Sequence, residues 1–353
     1  MRIIVDENIP AAVECFSQFG EVQQVSGRQL CRADIGDAEV LIVRSVTKVN
    51  EALLAGTGVR FVGSTTIGTD HLDLNYLAAN EIKVCNAPAS NAESVVDYVI
   101  SAICSCGNLL ERLLGGEPVG IVGYGNVGRR LGRRLSALGI AWRAYDPLLD
   151  QATEGLSSLD EVMGCSLVCL HAPLTRDGLY PSYHMLGLDQ LGAMPANAVL
   201  LNAGRGEVVL DVWEGEPCFP ANLASRCRIA TPHIAGYSAD GKLTGLRMVA
   251  SELAVFLNLS LLPFAVPFSM AGSAEIICDG ANELDFIKNT VAAVYDVMED
   301  DKRFREIIGS SIRGQAFDLL RKHYPVRREL AYSALASTNP KFSAVLQALQ
   351  SGR

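Results

Sequence analysis

Three short motifs in the second half of the chain each carry one side chain that could handle a proton or an anion. NAGRG contains Arg205, DVWEGEP contains Glu216 and TPHIAGY contains His233. A guanidinium can hold a carboxylate in a bidentate geometry that a lysine cannot copy. An imidazole exchanges protons near neutral pH, and a carboxylate beside it orients the ring and favours its charged form. Together these groups are the set that hydride transfer from a 2-hydroxy acid requires.

Each of the three residues also has an ordinary structural explanation when it is taken alone. An arginine that follows a strand usually belongs to a surface ion pair, and a histidine beside proline is usually structural. Their joint occurrence near the ends of predicted strands favours catalysis, because ligands bind at the carboxyl ends of strands in open α/β sheets. The other histidines are assigned structural or surface roles, with His171 the nearest to a cofactor: His71, His171, His184 and His323.

A dinucleotide-binding pattern precedes these motifs. GIVGYGNVG places Gly123, Gly125 and Gly128 between a predicted strand and a predicted helix. Glycines in this position permit a tight turn and let a pyrophosphate approach the positive N-terminus of the helix, although they could also serve the turn alone. Asp146 ends the next predicted strand, where its carboxylate can accept hydrogen bonds from ribose hydroxyls. No basic residue follows in DPLLD, so the pattern favours NAD over NADP.

Hydrophobic periodicity predicts the elements that must position these groups. Runs rich in β-forming residues alternate with helical stretches, which is typical of an α/β protein with a parallel sheet. A βαβ unit is predicted at residues 118–147, and long helices at about 90–114 and 238–257. Further strands are predicted at residues 2–8, 40–45, 60–64, 82–87, 166–172, 198–203, 208–213 and 227–232.

The long helices divide the chain into three expected domains. They comprise a first domain of residues 1–93 and 256–272, a dinucleotide-binding domain of residues 94–255, and a smaller α+β unit of residues 273–353. Arginines at positions 129, 130, 133 and 134 are interpreted as a solvated helix face rather than a polyanion site.

Composition narrows the class of protein further. The 353 residues carry a formal net charge of −9 and are 49% hydrophobic, which argues against disorder and against nucleic acid or an anionic membrane as a partner. The 10 cysteines include no C-x-x-C pair and no accompanying histidine cluster. We therefore expect reduced thiols, no metal site and a cytoplasmic location.

The stretch AVLLNAGRGEVVLDVW poses a topological problem. AVLLNA and VVLDVW both look like buried parallel strands, yet only four residues, 204–207, separate them. A crossover between neighbouring parallel strands normally needs a dozen or more residues. Either the two strands are not neighbours, or a crossover is missing.

With these motifs in hand, the chain resembles the D-2-hydroxyacid dehydrogenases, in which Arg, Glu and His occur in the same order. The likeness runs over nearly the whole chain, through VDENIP, VRSVTKVNEALLAG, FVGSTTIGTDHLD, HAPLTRDG and the tail segment LRKHYPVRRE. It implies an α/β fold in which a Rossmann-type NAD domain is inserted into a flavodoxin-like substrate domain, with a C-terminal α+β domain that forms a homodimer. It implies NAD-dependent oxidation of a small phosphorylated 2-hydroxy acid, with a phosphoglycerate-like substrate as the alternative.

The resemblance also assigns roles to matching positions. Arg205 and Glu216 become catalytic residues and His233 the proton-transfer residue. The expected substrate-binding residues are Ser45, Thr66, Tyr237 and Arg44, the last as a partner for the phosphate. The expected cofactor-binding residues are Gly123, Gly125, Asn126, Val127, Gly128, Asp146, Ala172, Ala203, Gly204, Asp211 and Gly236. Arg327 or Arg328 from across a dimer is a second candidate for the phosphate, with a surface ion pair as the alternative.

Two departures from the family pattern matter. Ala172 stands where a threonine is usual, which removes a hydroxyl and keeps the backbone groups. Between Val209 and Leu210 the family has a turn and a helix, about 18 residues that this chain lacks, so we expect parallel neighbours without their crossover. The favoured explanation is a segment missing from the printed sequence. If the chain is truly short, Arg205 cannot easily meet the other two groups, and an NAD-binding regulator without turnover becomes the alternative.

Overall fold

A computed structural model describes residues 1–150, 152–201, 207–266 and 275–351. Its strands and helices up to the first unit boundary are β1 (Arg2–Asp6), α1 (Ala12–Phe16), β2 (Glu21–Val25), α2 (Arg32–Ile35), β3 (Val40–Val43), α3 (Glu51–Leu54), β4 (Phe61–Ser64), α4 (Leu74–Ala79) and β5 (Lys83–Cys85). The middle of the chain forms α5 (Ala92–Ser105), α6 (Leu109–Leu114), β6 (Val119–Val122), α7 (Asn126–Ala137), β7 (Trp142–Tyr145), α8 (Leu159–Met163), β8 (Leu167–Leu170), α9 (Leu188–Ala193), β9 (Val199–Leu201), β10 (Glu207–Leu210), α10 (Ala221–Ala224) and β11 (Ile229–Ala230). The remainder forms α11 (Ala239–Phe256), β12 (Ile276–Ile277), α12 (Glu283–Val294), α13 (Val297–Ile308), α14 (Arg313–Lys322), β13 (Leu335–Ala336) and α15 (Ser343–Leu349).

The chain divides into two compact units. Unit 1 comprises Met1–Asn91 and Ser238–Gly272, and unit 2 comprises Ala92–Tyr237 and Ser273–Arg353. This division differs from the three expected domains in two respects: α11 groups with unit 1, and the C-terminal segment groups with the dinucleotide-binding part of the chain.

Unit 1 is built on a parallel sheet with the strand order β2-β1-β3-β4-β5 in the described part of the chain. This is the flavodoxin-like order, and it confirms that part of the predicted fold. The inner strand β3, with sequence VLIV, is buried throughout because helices cover both faces of the sheet. One face packs against α1 and α11, and the other packs against α2, α3 and α4.

The helix α11 belongs to unit 1 because its apolar face packs on that sheet. Leu246, Val249 and Leu253 are fully buried with Phe61 of β4 in one cluster. The helix begins where Ser238 accepts a hydrogen bond from the backbone N–H of Gly241 at 2.8 Å. No helix within the described ranges is long and apolar enough to cross a membrane.

Unit 2 contains a second parallel sheet, whose order in the described residues is β11-β10-β9-β8-β6-β7. A single bridge between Ala144 of β7 and Leu156 extends the sheet by one further position beyond β7. The resulting order is that of a Rossmann fold, with the topological switch between β6 and β8. The predicted Rossmann-type domain is therefore confirmed.

The strands β9 and β10 are parallel neighbours, as expected from the sequence. Glu207 pairs with Val199 and Val209 pairs with Leu201. β10 runs without interruption across Val209 and Leu210, and its second edge pairs with β11. In this chain the connection between two adjacent parallel strands is therefore confined to residues 202–206, which lie outside the described residues.

The C-terminal segment covers the β11 side of this sheet. Phe304 of α13 and Phe317 of α14 are fully buried with Val208 and Leu210 of β10. At the edge strand, the backbone N–H of Ala230 donates to the Asp301 carboxylate at 2.7 Å. An unpaired strand edge promotes association with other chains, and these helices remove that edge from solvent.

The structure corrects two details of the sequence interpretation. The expected helix at about 90–114 is divided into α5 and α6, because Gly107 adopts a left-handed conformation with φ 55°. The arginines of α7 do not form a uniformly solvated face. Arg134 is fully buried and pairs with Glu93 at 3.0 Å and Asp97 at 3.3 Å, whereas Arg129 and Arg133 are exposed.

Candidate active site

The glycines of the predicted fingerprint form a tight turn between β6 and α7. Gly123 has φ 92°, and a Cβ there would lie 2.5 Å from the backbone nitrogen of Ala172. A Cβ on Gly128 would collide with the carbonyl oxygen of Gly123. A Cβ on Gly125 would meet nothing within 4 Å, so the turn is open at this residue. A ligand phosphate can therefore approach the backbone where α7 begins.

Asp146 lies beside the same turn. One carboxylate oxygen accepts from the backbone N–H of Tyr124 at 2.9 Å, and the other accepts from that of Leu148 at 3.1 Å. Each oxygen can accept a second hydrogen bond, so the carboxylate is oriented and can still receive ribose hydroxyls.

His171 adds a polar atom next to the turn. Its backbone N–H donates to the carbonyl of Val122 at 2.7 Å, at the end of β6. Its Nε2 is buried, and no group of the described residues forms a hydrogen bond with it. Burial lowers the pKa of His171 to about 4, which keeps the ring neutral. A buried nitrogen that lacks a protein partner beside an open glycine turn fits a site for a polar ligand such as a dinucleotide.

Glu216 and His233 form the hydrogen-bonded pair that their motifs predict. The His233 Nδ1 lies 2.8 Å from one Glu216 oxygen, and the other oxygen accepts from the backbone N–H of Trp213 at 2.9 Å. The carboxylate is thus held in place while it orients the imidazole. The His233 side chain is 44% exposed, so the ring is accessible to a reactant.

The surroundings of His233 raise its pKa above the ordinary value of about 6.5. Burial alone would lower the pKa of this ring. The hydrogen bond to Glu216 and the negative charges of Asp211 and Glu216 outweigh burial, while Arg321 acts in the opposite direction. The imidazole therefore keeps its proton to a higher pH than an unperturbed histidine would.

Asp211, expected among the cofactor residues, fastens the loop that carries His233. One of its oxygens accepts from the Thr231 hydroxyl at 2.7 Å and from the Ile234 N–H at 2.8 Å. The other accepts from the Ala235 N–H at 2.9 Å. The sequence motif around Asp211 does not reveal that this residue holds the loop, because most of the groups that donate to it are backbone N–H groups.

The other predicted residues of unit 2 fall into two groups. Arg205, Ala203 and Gly204 lie outside the described residues. Gly236 and Tyr237 follow directly on the loop that Asp211 holds, and the Tyr237 ring meets Tyr324 edge to face at 5.7 Å between centroids.

The candidate substrate residues of unit 1 gather at the carboxyl ends of its strands. Arg44 and Ser45 follow β3, and Thr66 follows the neighbouring strand β4. The Arg44 Nε lies 3.1 Å from a carboxylate oxygen of Asp6, which is 1% exposed. Asp6 is not among the predicted site residues, although a carboxylate that directly ends a buried strand is a sequence signal for such a site.

Thr66 belongs to a short hydrogen-bonded chain that includes His71, one of the histidines expected to have a structural or surface role. The Thr66 hydroxyl lies 2.9 Å from that of Ser64, which in turn lies 3.0 Å from the His71 Nε2. Burial lowers the pKa of His71, with Asp70 acting weakly in the other direction. His71 is therefore part of the hydrogen-bonded chain that orients Thr66.

The Glu216–His233 pair predicts a pH effect. For oxidation of a hydroxyl group, the imidazole must be neutral to accept a proton, so kcat/KM falls as the pH drops through the pKa of His233. Glu216→Gln removes the charge that raises this pKa, and the acid limb of the pH profile therefore moves to lower pH. We expect kcat to fall by about tenfold, since the imidazole remains. Glu214→Gln, at an exposed position of the same loop, should leave the profile unchanged; an unmoved acid limb in Glu216→Gln would contradict the assigned pair.

The sheet order, the open glycine turn and the paired imidazole and carboxylate define a dehydrogenase that binds a dinucleotide. A family model described as "D-isomer specific 2-hydroxyacid dehydrogenase, catalytic domain" matches residues 3–341. The chain belongs to the D-isomer specific 2-hydroxyacid dehydrogenase family, and the resemblance inferred from its motifs is confirmed.

The chain is also similar to curated relatives over most of its length. It is 42% identical to an erythronate-4-phosphate dehydrogenase of Teredinibacter turnerae, over 96% of this chain and 95% of the relative. It is 41% identical to a Pseudomonas putida protein of the same name, over 99% of both chains. The alignment with the first relative spans 363 positions, whereas 96% of this chain is only about 339 residues. About 24 aligned positions of the relative therefore have no counterpart in this chain. A lost crossover of about 18 residues fits within that difference.

Solved structures share the fold. The NAD⁺-bound 3-phosphoglycerate dehydrogenase of Entamoeba histolytica has a TM-score of 0.60 and 22% identity, over 75% of this chain and 99% of that chain. The TT0316 protein of Thermus thermophilus has a TM-score of 0.60 and 23% identity, over 75% of this chain and 100% of that chain. At this level of identity the likeness concerns the fold alone.

Proposed function

We propose that the protein oxidises 4-phospho-D-erythronate at C2 to (R)-3-hydroxy-2-oxo-4-phosphooxybutanoate, with NAD as the acceptor, in the biosynthesis of pyridoxal 5′-phosphate. The names of relatives about 40% identical over nearly the full chain support this substrate. The observation that carries the chemistry is the 2.8 Å contact between His233 and Glu216 in a chain of the 2-hydroxyacid dehydrogenase family. A regulator that binds NAD without turnover would not need this pair.

In the proposed reaction, NAD bound at the glycine turn before α7 would supply the acceptor for the hydride of the substrate C2. His233 takes the hydroxyl proton at Nε2, because Nδ1 is engaged by Glu216. Glu216 stabilises the imidazolium that forms. The family resemblance assigns the substrate carboxylate to Arg205, and this role requires that the short connection between β9 and β10, which lies outside the described residues, bring its guanidinium to the pair. Proton and hydride together account for the two hydrogens that convert the alcohol into the ketone.

The proposed cofactor site uses the fingerprint glycines and Asp146. The open backbone at Gly125 and the N-terminus of α7 suit the pyrophosphate, and the Asp146 carboxylate suits the ribose hydroxyls. The backbone of Ala172 and the His171 Nε2, which has no hydrogen-bond partner in the described part of the chain, lie beside this turn and are available for further polar contacts.

Ser45, Thr66 and Tyr237 are proposed as substrate-binding residues, with Arg44 as a phosphate ligand. The buried Asp6 carboxylate lies within ion-pair distance of the Arg44 Nε and stabilises the charge of the guanidinium at the strand ends. A guanidinium offers several donors, so a phosphate could still bind through its terminal nitrogens.

A substrate panel tests the function. Purified protein supplied with NAD and 4-phospho-D-erythronate should produce NADH, detected by absorbance, with a higher kcat/KM than on 3-phospho-D-glycerate. Preference for phosphoglycerate would replace the proposed substrate with the phosphoglycerate-like alternative. NAD binding in calorimetry without turnover of any 2-hydroxy acid would favour the regulator.

We also propose that the protein is a cytoplasmic homodimer that associates through its C-terminal segment. Several large apolar side chains of this segment are exposed in the single chain, among them Ile277 at 57%, Leu319 at 52% and Val326 at 61%. Exposed apolar side chains of this size favour burial in an interface. Sedimentation equilibrium should give twice the chain mass of 37.8 kDa, and Val326→Asp should reduce it to the monomer mass; a monomeric wild-type protein would refute the dimer.

A further inference from the structure

Unit 2 holds a buried arginine that the proposed reaction does not use. Arg327, in the segment after α14, is 5% exposed, and its guanidinium lies 4.1 Å from the ring centroid of Tyr295. Its burial excludes a surface ion pair and disfavours a role as a phosphate ligand across a dimer. A buried guanidinium stays charged and is retained only where the protein supplies compensating groups.

Arg327 donates hydrogen bonds to two backbone carbonyls from distant parts of unit 2. Its Nη2 donates to the carbonyl of Ala235 at 2.6 Å and to the carbonyl of Ser94, in α5, at 3.1 Å. Ala235 is two residues beyond His233, in the loop that Asp211 fastens. One guanidinium nitrogen thus joins the loop of the proton-transfer residue to a long buried helix.

Ala235 is consequently held by charged groups on both sides. Its N–H donates to the Asp211 carboxylate at 2.9 Å, and its carbonyl accepts from the Arg327 guanidinium. Hydrogen bonds to ionised groups are stronger than those between neutral groups. Asp211 and Arg327 therefore act as a clamp, with the backbone of Ala235 between them.

The clamp matters because the backbone at His233 is in an unfavourable conformation. His233 has φ 58°, a left-handed value that a residue with a Cβ adopts only where its surroundings enforce it. The hydrogen bond between the His233 Nδ1 and Glu216 depends on this backbone direction. Release of the loop would let the residue relax away from its carboxylate partner.

We propose that Arg327 is a positioning residue for proton transfer: from the C-terminal segment, it holds the Ala235 carbonyl against α5 and thereby keeps His233 beside Glu216. This inference rests on the role of His233 in the proposed function. It gives the C-terminal segment a part in catalysis that is separate from any part in dimerisation.

The neighbours of Arg327 fit a fixed rather than a mobile cation. Asp300 accepts hydrogen bonds from the Tyr295 hydroxyl at 3.0 Å and from the Tyr324 hydroxyl at 2.6 Å. Asp97 accepts from the backbone N–H of Leu330 at 2.8 Å. Both carboxylates interact electrostatically with the Arg327 guanidinium, and the bond from Leu330 to Asp97 attaches the segment after α14 to α5.

The test compares Arg327→Met and Arg327→Lys with a control, Lys322→Met. The control removes an exposed cation at the last residue of α14. In Arg327→Met we expect kcat to fall by about 100-fold, because a small misplacement of a catalytic group costs this much. NAD affinity, measured by calorimetry, should be retained, because the glycine turn follows β6 whereas the loop that carries His233 follows β11. Arg327→Lys should lose about tenfold, since an ammonium keeps the charge without the planar fork. Lys322→Met should behave as the wild type.

The pH profile provides a readout that a merely structural role would not move. Within the described ranges, the charged groups facing His233 are Glu216 and Asp211, which raise its pKa, and Arg321 of α14, which lowers it. If the loop relaxes in the Arg327 variants, the bond to Glu216 weakens and the acid limb of kcat/KM for oxidation moves to lower pH.

The positioning role is wrong if a folded Arg327→Lys or Arg327→Met protein has wild-type kcat and an unmoved acid limb. It is also wrong if kcat and NAD affinity fall equally. Should Arg327→Met fail to fold, Arg327→Lys decides the question. If His233→Ala still turns over substrate, the result instead contradicts the proposed function itself. Loss of turnover in His233→Ala with wild-type rates in both Arg327 variants would remove only the clamp.

Discussion

Replacement of His233 by alanine should reduce kcat for oxidation by about 1,000-fold while NAD affinity stays near that of the wild type. The imidazole is the group that accepts the hydroxyl proton, and Glu216 both orients it and raises its pKa. No other histidine can replace it within the described residues of unit 2: the buried Nε2 of His171 belongs to a ring whose pKa is lowered to about 4, and His184 and His323 are exposed. Stopped-flow formation of NADH and calorimetric titration of NAD separate the two quantities.

The matched control for this variant is His323→Ala, which removes an exposed imidazole at the end of α14. It should retain wild-type turnover. A His233→Ala protein that turns over normally, or that loses NAD binding while its bound fraction reacts at the wild-type rate, would refute the assignment of His233 to proton transfer.

Replacement of Arg134 by methionine should lower the free energy of unfolding by about 3–5 kcal/mol. Arg134 is 0% exposed and bonds to Glu93, to Asp97 and, through Nε at 3.1 Å, to the carbonyl of Ser351. Methionine fills part of the space but leaves two carboxylates in the core without their main cation. The free energy of unfolding is obtained from urea titrations followed by circular dichroism.

The pH dependence of this loss distinguishes an electrostatic from a packing effect. Burial already raises the pKa of Asp97 to about 6 in the presence of Arg134, which lowers it. Without the arginine the pKa of Asp97 rises further, so the buried carboxyl takes up a proton as the pH falls and the penalty shrinks at acidic pH. Arg133→Met, at the exposed neighbouring position, should change the stability little. A penalty in Arg134→Met that does not vary with pH would point to packing alone.

The parts of the fold that could be predicted from sequence are those encoded by local pattern. The apolar run VLIV has no alternative to burial in a sheet covered on both faces, and the glycine pattern before α7 has few uses other than a turn at a dinucleotide site. The contact between Glu216 and His233 was also predictable, since each residue follows a strand and the strand ends of a parallel sheet meet at one edge.

The remaining features depend on partners that are distant in sequence. An arginine on a helix carries no local sign of whether it faces water or buried acids, so the burial of Arg134 could not be read from α7. Arg327 bonds to main-chain carbonyls, which have no sequence signature. The break between α5 and α6 depends on the left-handed conformation of Gly107, although glycine alone costs a helix only about 1 kcal/mol.

The attachment of α13, α14 and Arg327 to unit 2 has a consequence for the order in which the protein is made. Ala230, Ala235 and Ser94 bond to Asp301 or Arg327, which leave the ribosome after the strands and helices that they hold. While translation continues, the nascent chain can complete the flavodoxin-like sheet and the glycine turn, but the histidine loop lacks half of its clamp. The protein therefore acquires its proton-transfer geometry only once synthesis of its C-terminal segment is complete.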